Sequence, residues 1–401
     1  NSYFISSQII KDKKTKFNIY INQNNFKSIS EDRKEDFLNT KLTYNQKLFK
    51  NSIDSNLFFE TNSGNLPQQE FTFLEVEPGL GNYKWIDING NNIQELEEFE
   101  IAVFEDEGRY IRVLLPNQIY IRTYQNKLNY SLNVNFIKWK NSDLGLNKFL
   151  SKISNQFQYS LDKKTNLDIN PNIELIPFRI DENSLLAYNY SLKNVFYFNK
   201  AEQKYSLSYT FLENKSKNNF SFGSTKGSLL INKINFSHKI GDLYLIEIVS
   251  NNQNKSNWSE NFQDKNYEIE DYSINPKLTY FSGENNRINF FYKFSDINNK
   301  IGNREFLKQQ NFGVKIFLNQ KEKRGFISEF NYFKNEYTGD INSVISYIIM
   351  NGLQKGENYT WSFKLQRKIS KLLDINFIYA GRKSNSLKTI HNGSIQLKAI
   401  F

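Results

Sequence analysis

The chain has 401 residues, no Cys, two His, a net charge of +10 and a mean hydropathy of −0.63, yet 16% of it is aromatic, with 35 Phe and 24 Tyr. Without cysteine there is neither a disulfide framework nor a thiolate metal site, and no apolar run approaches the ~18 residues of a membrane-spanning helix, which excludes helical membrane proteins. The positive charge is scattered among Asn, Ser and Glu, which reads as solvated turns and lumen and argues against nucleic acid as a partner.

In chain order, residues 2–10 and 15–21 predict a hairpin around the charged turn 11–14, followed by a long polar loop over 22–39. Leu42, Tyr44, Gln46 and Leu48 then alternate, the turn 49–52 reverses the chain, and 53–61 runs back. After an interruption, Leu128, Tyr130, Leu132, Val134 and Phe136 form an apolar face opposed by Asn129, Ser131, Asn133 and Asn135. A period of two with one apolar face is a half-buried strand. The pattern returns at Phe157, Tyr159 and Leu161, and, beyond a loop with Pro171 and Pro177, over 188–198 and at Tyr205, Leu207, Tyr209 and Phe211. A polar loop is expected over 213–227. Further hairpins follow: 230–238 with 243–249, 268–281 with 288–294, 312–318 with 326–337, and 359–365 with 373–379 across Ser370 and Lys371. Loops are expected over 250–265, 338–357 and 381–390, and within the second of these 344–350 reads as a short helix or lid segment.

The chain closes on Ile395, Leu397, Ala399 and Phe401 facing one way, with Ser394, Gln396 and Lys398 facing the other. This resembles the closing strand of bacterial outer-membrane β-barrels, which implies that the terminal aromatic belongs to the signal read by the barrel-assembly machinery. An ordinary edge strand has the same alternation. Short turns alternate with longer loops along the chain, the asymmetry of outer-membrane barrels. The expected fold is therefore an all-β, antiparallel transmembrane β-barrel of about 16–18 strands with long extracellular loops. Residues 1–62 supply the first wall strands, 63–125 an extracellular insertion and 126–401 the remaining wall. An odd count near 17 implies at least one strand before Asn1, and hence the C-terminal portion of a longer exported protein.

Inside the insertion, Asp87, Asn89 and Asn91 offer oxygen side chains at loop positions one, three and five, Ile93 a carbonyl at seven and Glu98 a carboxylate at twelve. That is the spacing of an EF-hand calcium loop, which gathers oxygens around a hard cation such as Ca²⁺. It also resembles the calcium loops of Gram-positive adhesin repeats and of dockerins. Asn92 stands where Gly is usual, at a position that needs a left-handed backbone. An Asn-Gly turn between two strands accounts for the same residues. The acidic residues Glu95, Glu97, Glu98, Glu100, Glu105, Asp106 and Glu107 raise local cation attraction or form a solvated face.

The runs 66–76, 85–90 through 98–102, 110–113, and 356–361 through 381–384 resemble a family of large outer-membrane proteins of the Bacteroidota. The resemblance implies location and fold, and no reaction. His391-Asn-Gly-Ser394 is faintly similar to the signature of outer-membrane phospholipases, but order and spacing differ, and a strand-entry turn explains it better. His238 is expected in the lumen. The reading is a non-enzymatic outer-membrane barrel acting in transport, as a channel or in surface assembly. It would sit in lipid and lipopolysaccharide, with a surface lipoprotein or plug as a further partner. The alternative is a soluble or surface-anchored, calcium-stabilised adhesion protein.

Overall fold

The computed structural model describes residues 2–12, 14–27, 34–67, 70–115, 120–141, 144–169, 181–200, 204–220, 223–260, 262–283, 285–320, 324–370, 373–385 and 387–399. Four strands open the chain: β1 (Ser2–Lys11), β2 (Thr15–Lys27), β3 (Lys34–Leu48) and β4 (Ile53–Pro67). The insertion carries β5 (Glu70–Glu75), β6 (Tyr83–Trp85), β7 (Phe99–Ile101) and β8 (Tyr110–Leu115). Then come β9 (Tyr120–Asn135), helix α1 (Gly145–Leu150), β10 (Ile153–Asn166), β11 (Leu185–Phe198), β12 (Tyr205–Phe220), β13 (Gly223–Ile240), β14 (Tyr244–Ser259), β15 (Tyr267–Ser282), β16 (Asn286–Asn299), β17 (Phe306–Gln320) and β18 (Arg324–Thr338). Helix α2 (Val344–Ile349), β19 (Gly356–Ser370), β20 (Leu373–Ser384) and β21 (Ile390–Ala399) complete the chain.

β1 to β4 and β9 to β21 form one 17-stranded antiparallel sheet, and β5 to β8 a separate four-stranded one. Each strand of the large sheet pairs with its predecessor in sequence, and β4 pairs with β9 across the insertion. With an odd strand count β1 and β21 run in the same direction, and no ladder joins them among the described residues.

Registers carry the alternation around the whole sheet. Leu57, Tyr130 and Tyr159 are one row, Leu207, Phe236 and Ile248 another, and Tyr292, Phe312, Tyr332 and Tyr359 a third. Cross-strand neighbours share a face, so this face is largely apolar and aromatic, interrupted by Gln46, Ser55, Asn155 and Asn194. The opposite face carries Asn56, Ser131, Gln158, Ser208, Asn235, Asn289 and Ser362. Apolar residues fill the first face for roughly 20 Å of each strand from the short turns, as from Tyr205 to Phe211. Beyond that belt the strands continue with polar residues on both faces. The expected polar loops over 22–39, 213–227 and 250–265 are therefore largely ladder: β12 and β13 pair out to Phe220 and Gly223, and β14 runs to Ser259. Composition failed there because a ladder in water needs only its backbone hydrogen bonds, not an apolar face.

The sheet is curled. The insertion, which leaves the wall between β4 and β9, contacts Lys265 between β14 and β15, Tyr347 in α2 and Arg382 on β20. In a flat sheet β20 would lie roughly 50 Å from β9, at ~4.8 Å per strand. A four-stranded domain whose longest strands have six residues, ~20 Å, cannot bridge that distance. These contacts require the wall to close round, with the polar face inward, as an antiparallel β-barrel does. Helix α2, the expected 344–350 segment, lies inside: Ile345, Ile349 and Met350 pack on Tyr267, Ile269, Ile297, Leu307 and Tyr337 of β15 to β18, all on the inner face and all buried.

Candidate functional site

Three features meet at the end of the barrel opposite the short turns: the calcium-type loop, the body of the insertion and the wall residues that grip it. The body is held by aromatic rings. Phe73 stacks on Phe99 at 4.1 Å, with Tyr83 at 4.9 Å from Phe73 and Tyr110 at 4.9 Å from Phe99. Burial holds the Tyr110 hydroxyl above its usual pKa, and Glu75 adds to this. Gly81 and Gly108 let two backbone segments touch: Gly81 N–H donates to the Gly108 carbonyl at 3.1 Å, and a Cβ on Gly108 would overlap the Gly81 carbonyl.

The loop from Asp87 winds around its own oxygens. Asp87 accepts from the backbone N–H of Gly90 at 2.8 Å and of Asn92 at 3.1 Å, Asn89 from Asn91 at 3.0 Å, and Asn91 from Ile93 at 2.6 Å. Asn92 takes the left-handed conformation, φ 57°, that position six of such a loop needs. Glu95 receives the amide groups of Asn89 and Asn91, at 2.7 and 3.5 Å. Glu98 is 1% exposed and accepts from Trp85 Nε1 at 2.7 Å and Ile88 N–H at 3.1 Å, so it anchors the loop to the aromatic body. No cluster of three or more His, Cys, Asp or Glu with metal-site geometry occurs among the described residues. Asp87, Asn89 and Asn91 supply oxygens alone, a donor type that suits a hard cation better than a soft transition metal.

Much of the acidic cluster is neither solvated nor a cation trap. Arg382 on β20 forks onto Asp106, with Nη1 on Oδ1 and Nη2 on Oδ2 at 2.8 Å, reaches Glu107 at 3.2 Å, and stacks 4.0 Å from the Phe104 ring. Tyr347 donates to Glu107 at 2.7 Å and accepts from Val103 N–H at 2.9 Å. Burial, reinforced by Glu107, holds the Tyr347 hydroxyl above its usual pKa. Lys84 pairs with Glu107 at 3.3 Å and lies over the Tyr347 ring. Lys265 pairs with Glu100 at 2.6 Å, and Asn392 on β21 reaches Glu105 at 3.4 Å. The Glu97 side chain lies outside the described residues. Sequence reasoning did not find Arg382, Lys265 or Tyr347 as functional; the unpaired acids of the insertion were the available signal.

On β21, Ile395, Leu397 and Ala399 face outward opposite Phe377, Ile375 and Leu373, and Phe401 lies outside the described residues. His391 and Ser394 are three apart and so point to opposite faces, with His391 against Tyr379 Oη at 2.7 Å; they cannot form a nucleophile and base pair. His238 is on the outer face beside Phe236, not in the lumen, where an amphipathic ring fits the edge of an apolar belt.

No protein-family model matches the chain, and no curated protein sequence matches it. Solved structures do. OmpT, an outer membrane protein of Vibrio cholerae, is 8% identical over 94% of this chain and 89% of its own, with a TM-score of 0.38. The ferric-catecholate import receptor Fiu of E. coli K12 is 10% identical over 95% of this chain and 62% of its own, TM-score 0.40. The FrpB iron transporter of Neisseria meningitidis is 11% identical over 95% and 66%, TM-score 0.40.

Proposed function

We propose that this chain is the wall of a bacterial outer-membrane β-barrel acting in transport, as a channel or in surface assembly, with its mouth occupied by the insertion and α2. The observation that carries the reading is the largely apolar, aromatic belt on the outer face over a polar lumen, the inverse of a soluble core. Large exposed hydrophobics such as Phe290, Phe312 and Phe330, at 48%, 50% and 47% exposure, stand in one row system and need lipid or another covering. The soluble adhesion alternative leaves that belt uncovered. On this reading the short turns are periplasmic and the insertion extracellular, near lipopolysaccharide, and Ile395, Leu397 and Ala399 belong to the segment read by the assembly machinery.

The inner wall favours anions. Lys233, Lys293 and Lys364 join the inward rows, while Glu247 and Glu329 are neutralised by Lys277 and Lys315 at 2.5 and 2.7 Å. We infer no reaction for the chain, since the one His and Ser pair considered is split across the wall. Calcium would be held by Asp87, Asn89, Asn91, the Ile93 carbonyl and Glu98, where it would stiffen the insertion. Fractionation of the full-length protein with outer membranes, with detergent needed for a monodisperse sample, tests the location. Planar-bilayer conductance tests the pore, with anions expected to carry more current than cations. A protein soluble without detergent refutes the reading.

A further inference from the structure

The insertion is held to the wall at three places. The chain itself joins it between β4 and β9. Between β14 and β15, Lys265 takes Glu100 at 2.6 Å and the Phe99 carbonyl at 3.0 Å. Arg382 on β20 takes Asp106 and Glu107, and Asn392 on β21 takes Glu105 at 3.4 Å. Counted round the sheet, across the seam between β21 and β1, six, six and five strands separate these places. A body anchored at three nearly equal intervals round a closing wall lies across the bore, not beside it. Its tip also descends into the bore. Phe104, Glu105 and Asp106 share a space of about 260 Å³ with Glu329, Thr360 and Ser362 of the inner face, and the strand neighbours of Glu329 and Ser362 include Phe330 and Phe363 of the outer belt. Helix α2 fills the sector between Lys265 and Arg382, and a Cβ on Gly352 just beyond it would lie 2.9 Å from the Phe104 ring.

The two noncovalent anchors differ in kind from the body they hold. Inside the insertion the rings of Phe73, Tyr83, Phe99 and Tyr110 pack on one another, and Phe99 and Tyr110 are buried. At the wall the grip is carried by Lys265, Arg382 and the carboxylates they meet. Charged groups released into an aqueous mouth regain their hydration, whereas an apolar seam would be left exposed. The insertion can therefore leave the wall with its own core intact. We propose that the insertion is a charge-latched gate: docked, it closes the bore, and release of Lys265 and Arg382 lets it leave the mouth as one body, still joined between β4 and β9, and opens the pore. This rests on the channel reading above and adds the regulation of that channel.

The test is single-channel recording of the full chain in planar bilayers. Wild type is expected to be closed for most of the record. Lys265→Ala/Arg382→Ala should be open at least about ten-fold more of the time, since each latch loses one partner of a desolvated charge pair. Two further variants separate gating from damage. The exchange Lys265→Glu/Glu100→Lys should return much of the closure that Lys265→Glu alone loses. Glu105→Cys/Asn392→Cys, in a chain with no cysteine of its own, should stay closed when bridged by a short bis-methanethiosulfonate reagent, also in the Lys265→Ala/Arg382→Ala background, and should recover its openings with reductant. Heat-modifiable gel mobility reports whether the wall of each variant has folded. If wild type and the folded Lys265→Ala/Arg382→Ala variant conduct alike and bridging changes nothing, the gate falls and the channel reading stands. If hydrogen exchange shows the insertion released in that variant and no current passes, the channel reading fails and takes the gate with it.

Discussion

Replacing Arg382 by alanine strips the insertion of its central anchor, and the loss is readable at one amide. The Arg382 side chain is 14% exposed, Asp106 29% and Glu107 15%, so these are not solvent-screened surface pairs. Truncating one partner of a desolvated, hydrogen-bonded charge pair costs about 2–5 kcal/mol, much of it because the other charges remain buried. A loss of about 3 kcal/mol raises the undocked population roughly 150-fold. Val103 N–H donates to Tyr347 Oη and is freed only when the insertion leaves α2. In Arg382→Ala its hydrogen exchange should therefore accelerate roughly 100-fold, while amides in the β5–β8 ladder, whose partners lie within the insertion, keep their protection. Arg382→Lys should recover only part, because an ammonium cannot reproduce the two-point contact. An unchanged Val103 rate in Arg382→Ala would refute the docking account.

Other consequences are equally direct. Calcium should raise the melting temperature of the insertion in wild type, by the equivalent of about 2.7 kcal/mol at a hundred times Kd. Asp87→Ala should abolish that rise, and Asn92→Gly should lower the Kd for calcium measured by titration calorimetry, because glycine reaches φ 57° without strain. In Gly108→Ala the new methyl meets the Gly81 carbonyl, so circular dichroism and limited proteolysis should show the insertion lost with the barrel wall retained. Tyr347, held above the usual 10.0 chiefly by burial, contributes docking free energy that is complete below pH 10. That contribution falls as pH rises toward the folded-state value, since the undocked hydroxyl ionises first. Val103 exchange, corrected for its intrinsic pH dependence, should show this alkaline limb in wild type and not in Tyr347→Phe.

The wall was legible because a strand with one polar and one apolar side writes its geometry directly into a period of two. Leu128 to Phe136 and Tyr359 to Leu365 are examples in which every second residue names its face. The polar extensions of β12, β13 and β14 were not legible, because strands that leave the belt lose the apolar row and look like loops. The loop from Asp87 was singled out by its spacing alone, and Asn92 takes a left-handed backbone at the position where that spacing places a tight turn. The docking residues were hidden for a different reason. Asp106 and Arg382 are 276 positions apart, and only the curl of the wall brings them together. The side of His238 was misjudged because a histidine next to Lys239 reads as polar, while its register opposite Tyr205 and Ile246 sets it in the outer belt.

The outward belt is tested most directly by single-cysteine spin labels placed in turn at positions 244 to 250 of β14, in a chain that has no cysteine of its own. Reconstituted in lipid, labels at 244, 246 and 248 should be reached by oxygen, and those at 245, 247 and 249 by a water-soluble paramagnetic complex, a period of two in phase with Tyr244, Ile246 and Ile248. Equal access to the water-soluble complex at all seven positions would contradict a lipid-facing wall and the function built on it.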